Sequence, residues 1–128
     1  MKHQFKQRII YQDTDAEGVV YYGNYLGFFE RGRSELLRGL GFSLKELKEK
    51  DGIVFAITRV ECDYSLPALY DDEITVTTEI EEATGARIIF KQEAARENKK
   101  LVSARITACA IDSKSFKPVR LPAQFSSL

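Results

Sequence analysis

The chain has 128 residues, 44% of them hydrophobic and 30% charged, a size and balance that describe one globular domain with a real core. Nineteen Lys and Arg offset nineteen Asp and Glu, so the net charge is zero, which removes the electrostatic drive toward nonspecific nucleic-acid or membrane binding. The longest apolar run, Ile53 to Ile57, falls far short of the about 20 residues that span a bilayer.

No apolar segment follows the charged start Met1-Lys2-His3-Gln4-Phe5-Lys6, as a secretory signal would require, so a cytoplasmic location is expected. Cys62 and Cys109 lack CxxC spacing and lie in strand-like segments, where a free Cys serves as a small buried hydrophobe. His3 is the one histidine. A triad needs a positioned imidazole, and a terminal residue is a poor place for one. Zinc sites of the common His/Cys types lack ligands too. Carboxylates, hydroxyls and backbone N–H groups remain for any catalysis.

In chain order, Phe5, Ile9 and Tyr11 recur at even spacing and predict a first strand. Residues 12–20 read as a polar, Gly-containing connection. From Asn24 to about Leu40 the spacing predicts a helix, with Tyr25, Leu26, Phe28, Phe29, Leu36, Leu37 and Leu40 as its apolar stripe. Gly39 and Gly41 mark its stop, and Gly27 and Gly32 inside it suggest close packing on a sheet. Ser43-Leu44-Lys45-Glu46 reads as a capping box opening a short second helix that ends near Gly52.

Residues 53–64, 74–81, 86–93 and 102–110 then read as strands, with turns at Thr84-Gly85 and Glu97-Asn98-Lys99-Lys100. Segregated helix and strands predict one α+β domain over residues 1–128, with the long helix lying across one face of a curved antiparallel sheet.

The segment Tyr11 to Tyr25 is the densest in functional groups. Asp13, Asp15 and Glu17 stand at alternate positions just before a helix start. Four readings fit such a loop. A calcium loop matches at Asp13, Asp15, Glu17 and Gly18, but Asn24 stands where a bidentate Glu belongs. Acids can simply favour the helix dipole. A carboxylate can act beside the unpaired first N–H groups of the helix, which would stabilise an oxyanion. That arrangement suits a thioester, whose thiolate, with a pKa near about 8.5, leaves without a general acid. The fourth reading is the same pocket as a pure binding module.

Asp13-Thr14-Asp15-Ala16-Glu17-Gly18-Val19-Val20-Tyr21, then Asn24-Tyr25, then Phe29-Glu30-Arg31 and Arg33, resembles the signature of the 4-hydroxybenzoyl-CoA thioesterase family of hotdog-fold proteins. It is most similar to the subfamily of bacterial acyl-CoA thioesterases associated with the Tol–Pal system. The resemblance implies a five- or six-stranded antiparallel sheet wrapped around a long central helix. It implies a homodimer or homotetramer with sites at the dimer interface, and hydrolysis of acyl-CoA thioesters without a cofactor or metal.

By position, Asp15 takes the family's catalytic carboxylate role and the backbone N–H of Tyr22 the oxyanion role. Many members of the subfamily carry His where this chain has Tyr22. Glu30 falls where some relatives place an acid reaching the neighbouring subunit's site; an ion pair with Arg31 or Arg33 is its alternative. Asp13 reads as a loop acid. Dehydratases on the same fold resemble a His-dependent scheme, which His3 cannot supply.

The coenzyme A phosphates call for cations. Arg59, Arg87, Arg96, Lys99, Lys100 and Arg105 are candidates, Arg87 first, and a solvated sheet face is their alternative. Tyr25 and Phe55 are candidate linings of an acyl pocket. An aromatic-acyl-CoA enzyme, an acyl-carrier-protein substrate and a noncatalytic acyl-binding scaffold are the competing functional readings.

Overall fold

A computed structural model describes residues 2–127. Its strands are β1 (Lys2–Arg8), β2 (Ile53–Tyr64), β3 (Glu73–Thr84), β4 (Arg87–Arg96) and β5 (Lys99–Asp112), and its helices are α1 (Tyr22–Gly39) and α2 (Leu44–Asp51). The five strands form one antiparallel sheet in the order β1-β3-β4-β5-β2. This is the expected α+β hotdog arrangement, with the short α2 added beside the long helix.

Alternation sorts the sheet into two faces. Ile74, Val76 and Thr78 on β3, Ile88, Phe90, Gln92 and Ala94 on β4, and Ala104, Ile106, Ala108 and Ala110 on β5 are buried. The small residues on β5 share the core with the aromatic and leucine side chains of α1. Bulges between Ile57 and Arg59 on β2 and between Ile80 and Glu82 on β3 strengthen the local twist, which curls the sheet around the helix. The helix packs on β1 and β3, while α2 packs on β2.

Helix α1 buries Tyr25, Phe28, Phe29, Gly32, Leu36 and Leu37, and each large side chain contributes about 1.5–3 kcal/mol when fully buried. The helix starts at Tyr22, two residues before the expected Asn24. Leu26 departs from the expected stripe and is exposed. The two interior glycines also differ. Gly27 has open space where a Cβ would stand, whereas a Cβ at Gly32 would collide with Thr78 Oγ1 and stand 3.1 Å from Gln92 Nε2.

That contact surrounds a buried polar knot. Gln92 Nε2 donates to Phe29 O (2.8 Å) and to Thr78 Oγ1 (2.7 Å), and Gln92 Oε1 accepts from Arg33 (3.1 Å). Thr78 and Gln92 are almost wholly buried, and a buried amide must be satisfied in this way. The knot pins the middle of α1 to the sheet.

The ends of the elements follow local rules with a few departures. Ile9 and Tyr11 are not in the first strand: β1 ends at Arg8 and the chain turns into a short 3-10 turn at Tyr11–Asp13, where the Asp13 carboxylate accepts from Ile10 N–H (2.9 Å). Tyr11 stacks on Tyr70 with ring centroids 3.9 Å apart. The turn after β4 contains only Glu97 and Asn98, since Lys99 and Lys100 already belong to β5; Glu97 takes the left-handed conformation at φ 56°. Ser43 accepts from Glu46 N–H (3.2 Å) and Gly52 closes α2 at φ 65°.

Candidate active site

The connection between β1 and α1 is a small hairpin. Thr14 bridges Val20, Asp15 N–H donates to Val19 O (2.8 Å), Tyr21 N–H donates to Asp13 O (3.1 Å), and Gly18 turns the tip at φ 81°. Glycine suits that tip because positive φ strains other residues. The hairpin is sewn to the 65–72 crossover: Val19 bridges Leu69, and Val20 N–H donates to Ala68 O (2.9 Å). Arg96 holds the crossover from beneath through Asp72 (2.6 Å), a partly buried pair.

Asp15 is exposed on this hairpin. Its Oδ1 accepts from Glu17 N–H (2.9 Å) and Val19 N–H (3.4 Å), which fixes the carboxylate's orientation. Oδ2 has no partner among the described residues. Asp13, by contrast, is committed to the loop through Ile10 N–H, and its carbonyl accepts from Asn24 Nδ2 (2.7 Å). Among the described residues no cluster of three or more His, Cys, Asp or Glu side chains gathers as a metal site.

The helix begins immediately after the hairpin. No side chain caps it, the N-cap Tyr21 contributing none, and the Tyr22 N–H has no partner among the described residues. First-turn N–H groups carry the positive end of the helix dipole. A cavity of about 330 Å³ lies against this end, lined by Val19, Tyr22, Tyr25, Tyr64, Leu66 and Pro67 among others. That volume is in the range of small-molecule sites.

Three tyrosines form its wall. The Tyr22 ring stands 4.8 Å from the Tyr64 ring, and Tyr64 stands 5.8 Å from Tyr25. Tyr25 is 1% exposed, and its hydroxyl accepts from Ala68 N–H (3.2 Å); burial pushes its phenol pKa up. Desolvation, with contributions from Cys62 and the other tyrosines, pushes Tyr64 up to about 12. The sequence pattern does not mark Tyr64. It ends a run of β-formers, and nothing in its spacing shows that it meets the helix start.

The remaining expected residues lie elsewhere in the protomer. Glu30 lines a second cavity of about 230 Å³ with Arg33, Leu37, Phe55, Ile57 and Phe90. Phe55 therefore does not share a pocket with Tyr25; it packs toward Phe125, ring centroids 6.1 Å apart. No ion pair joins Glu30 to Arg31 or Arg33 among the described residues: Arg31 donates to Gln7 Oε1 (3.3 Å) and Arg33 to Gln92 Oε1 (3.1 Å).

Arg87 pairs with Glu82 (3.4 Å) beside the β3–β4 turn. It stands opposite Cys109, whereas Tyr64 stands opposite Val102. That is seven residues along β5, or roughly 23 Å, so one protomer does not bring Arg87 to Tyr22. Arg59, Arg96 and Arg105 are also ion-paired, at 3.2 Å to Glu61, 2.6 Å to Asp72 and 2.6 Å to Glu81. Lys99 and Lys100 carry no ion pair among the described residues. They lie at the same sheet end as the tyrosine cavity, where the neighbouring Leu101 O accepts from Ser65 N–H (2.8 Å).

Comparison with known proteins gives a consistent answer. The thioesterase superfamily model matches residues 17–103. An acyl-CoA thioesterase, YbgC, of Haemophilus influenzae is 41% identical over 118 residues, covering 92% of this chain and 87% of the relative. An acyl-CoA thioester hydrolase, YbgC, of Escherichia coli is 36% identical, covering 90% of this chain and 86% of its own length. The crystal structure of a probable thioesterase from Bartonella henselae superimposes with a TM-score of 0.89 at 38% identity, covering 95% of this chain and all of that one. The carboxylate hairpin, the uncapped helix start and this degree of likeness agree: the chain belongs to the thioesterase superfamily.

Proposed function

We propose that this protein hydrolyses acyl-CoA thioesters to the free acid and coenzyme A, as one catalytic domain spanning the chain. The observation that carries the reading is the uncapped N-terminus of α1 directly after the Asp15 hairpin, beside a cavity of about 330 Å³. The thioester carbonyl oxygen takes the Tyr22 N–H, where charge develops in the transition state. Asp15 Oδ2 attacks the carbonyl carbon or removes a proton from the attacking water. The coenzyme A thiolate then departs unaided, leaving the free acid in the water route or an acyl anhydride on Asp15 that a water molecule hydrolyses in the covalent route. Tyr25 forms the wall of the site, and Glu30 contributes to the acyl end.

The coenzyme A phosphates require cations. Lys99 and Lys100, which form no ion pair among the described residues, stand at the sheet end that carries the site. Arg87 serves if a second copy brings its turn to that end. A homodimer is supported by the free edge of β2, where Ile57, Val60 and Tyr64 are exposed beside Tyr22, Leu26 and Leu66. Such a contiguous apolar strip along an unpaired edge calls for a cover. A cytoplasmic location is supported by the two unpaired cysteines, and among the described residues no helix is long and apolar enough to cross a membrane.

Thiol release from short, long and aromatic acyl-CoAs, with Asp15→Asn measured in parallel, tests this reading. Turnover by the wild type that falls at least about a hundredfold in folded Asp15→Asn is expected. Full activity in the variant removes Asp15 from the mechanism. Absence of turnover with every acyl-CoA moves the assignment to acyl-carrier-protein substrates or to an acyl-binding module. Monomeric behaviour in sedimentation overturns the dimer.

A further inference from the structure

One side of α1 carries Tyr22, Leu26, Glu30, Arg33 and Leu37. Spacings of four, four, three and four put these residues on one stripe of a helix. The stripe begins at the tyrosine cavity and ends at the second cavity, which Glu30, Arg33, Phe55, Ile57 and Phe90 line. On β2, Tyr64, Val60 and Ile57 share the inner face, opposite Val102, Ile106 and Ala108. The two cavities thus lie along one interval between helix and strand, separated by Leu26 and Val60 of the exposed strip that a second copy would cover.

Arg33 is the unusual member. Its guanidinium stands 5.9 Å over the Phe90 ring and donates to Gln92 Oε1 at 3.1 Å. Gln92 is itself fixed by Phe29 O and Thr78, so the head of Arg33 is held rather than free to follow solvent. Arginine has five N–H donors, and this one hydrogen bond is its only one among the described residues. Burial lowers its pKa, and Glu30 opposes that shift.

A charged donor and a charged acceptor thus border one mostly apolar cavity, in which Ser34 is the other polar lining side chain, without pairing to each other. A hydroxyl matches both, accepting from Arg33 and donating to Glu30. A carboxylate would meet repulsion from Glu30, and a methyl would leave the spare donors of the partly buried Arg33 unmatched, whereas the exposed Glu30 keeps its water. The cavity of about 230 Å³ exceeds the about 150 Å³ that holds a benzene molecule. From Tyr22 to Arg33 the helix rises about 16 Å. The arginine side chain leans back toward the helix start, leaving roughly 10 Å to span.

We infer that Arg33, acting with Glu30, is a specificity-determining residue that selects medium-length acyl groups carrying a hydroxyl at the far end. The inference rests on the thioesterase reading of the Tyr22 cavity, and its test separates the two. The quantity to measure is the ratio of kcat/KM for 8-hydroxyoctanoyl-CoA to that for octanoyl-CoA, in the wild type, Arg33→Met and Arg33→Lys. The wild type is expected to favour the hydroxylated substrate about tenfold or more, the range of a hydrogen bond to a charged group. Arg33→Met brings the ratio close to one.

Arg33→Lys keeps the charge without the planar fork, is expected to fall between, and carries the test if Arg33→Met does not fold. A wild-type ratio near one, or a ratio the variants leave unchanged, overturns the assignment. If neither thioester is hydrolysed, the thioesterase reading fails, and calorimetric binding of octanoate and 8-hydroxyoctanoate decides the role of Arg33 by itself. A wild-type preference for the hydroxy acid that the variants lose supports it, and equal binding overturns it.

Discussion

The two helices begin in opposite ways. Helix α2 is capped at both ends, by Ser43 Oγ on Glu46 N–H (3.2 Å) and by Gly52 in the left-handed conformation. Helix α1 follows Tyr21, whose side chain supplies no cap, and the Tyr22 N–H, beside a cavity, has no partner among the described residues. The difference follows from what each helix buries. α2 buries only Leu47, so its local end contacts matter. α1 buries Tyr25, Phe28, Phe29, Leu36 and Leu37 and is pinned at Gly32 by Thr78 and Gln92. Tertiary packing holds α1, and its N-terminus is left available. A local rule broken at one helix and kept at its neighbour marks the place where stability and function compete.

Giving α1 the cap it lacks is the sharpest way to break that contrast. Tyr21→Asp places an acceptor and a negative charge at the helix start. The new carboxylate accepts from the Gly23 or Asn24 N–H, and its charge stands beside the Tyr22 N–H, where it opposes a developing oxyanion, so we expect acyl-CoA hydrolysis to fall about tenfold. Helix stability should rise or hold, as read by thermal melting of the same sample. Normal activity in a stable Tyr21→Asp protein would detach the Tyr22 N–H from the chemistry.

The second variant attacks what replaces the cap. Gly32→Ala drives a Cβ into Thr78 Oγ1, and overpacking of this kind costs about 1–3 kcal/mol. Urea unfolding checks it. Gly27→Ala serves as the control, since a Cβ there meets nothing within 4 Å, and it should be neutral or slightly stabilising. Equal effects at the two glycines would mean that the polar knot does not pin the helix.

Removing the cap that α2 does have is the smaller perturbation. Ser43→Ala should cost about 1 kcal/mol in urea unfolding and leave thiol release unchanged, because Ser43 lies away from the tyrosine cavity. The smallest expected effect is at high pH. Tyr64, although 42% exposed, has its pKa raised to about 12 in the folded protein by partial desolvation and by Cys62 and the neighbouring tyrosines, against about 10 when unfolded. A raised acid favours the folded state while protonated. Its contribution is complete below about pH 10 and is lost as pH rises toward 12. Tyr64→Phe should flatten the alkaline decline in thermal stability over that interval, and an unchanged decline would assign it to other groups.

The parts of the molecule that follow from periodicity were legible early. Alternation over 74–81, 86–93 and 102–110 reads as strand because side chains in a strand face opposite sides, and those segments lie in β3, β4 and β5 except for Ala86, which belongs to the turn with Gly85. Ser43 and Gly52 were legible as stops because capping is a local hydrogen-bonding problem. Tyr11 misled because its even spacing continues β1 while Asp13, two residues on, turns the chain away through Ile10 N–H. Leu26 misled because an apolar residue at helical spacing does not reveal which flank the sheet leaves uncovered.

The candidate site divides in the same way. Asp15 and Tyr22 are close in sequence and sit on one hairpin-helix unit, so the local pattern suggested both. Tyr64 comes from the far end of β2, and Arg33 matters because Gln92, 59 residues away, holds it. No spacing rule reaches across such separations. The sequence by itself determined the α+β class, the order of the elements, and a carboxylate loop entering a helix with little other catalytic equipment. Only the tertiary structure decided which cations are already paired, which tyrosines meet at the helix start, and that Arg33 faces an apolar cavity. Those facts depend on which strands become neighbours and how the sheet curls. They are set by packing between distant segments, not by the chemistry of any one of them.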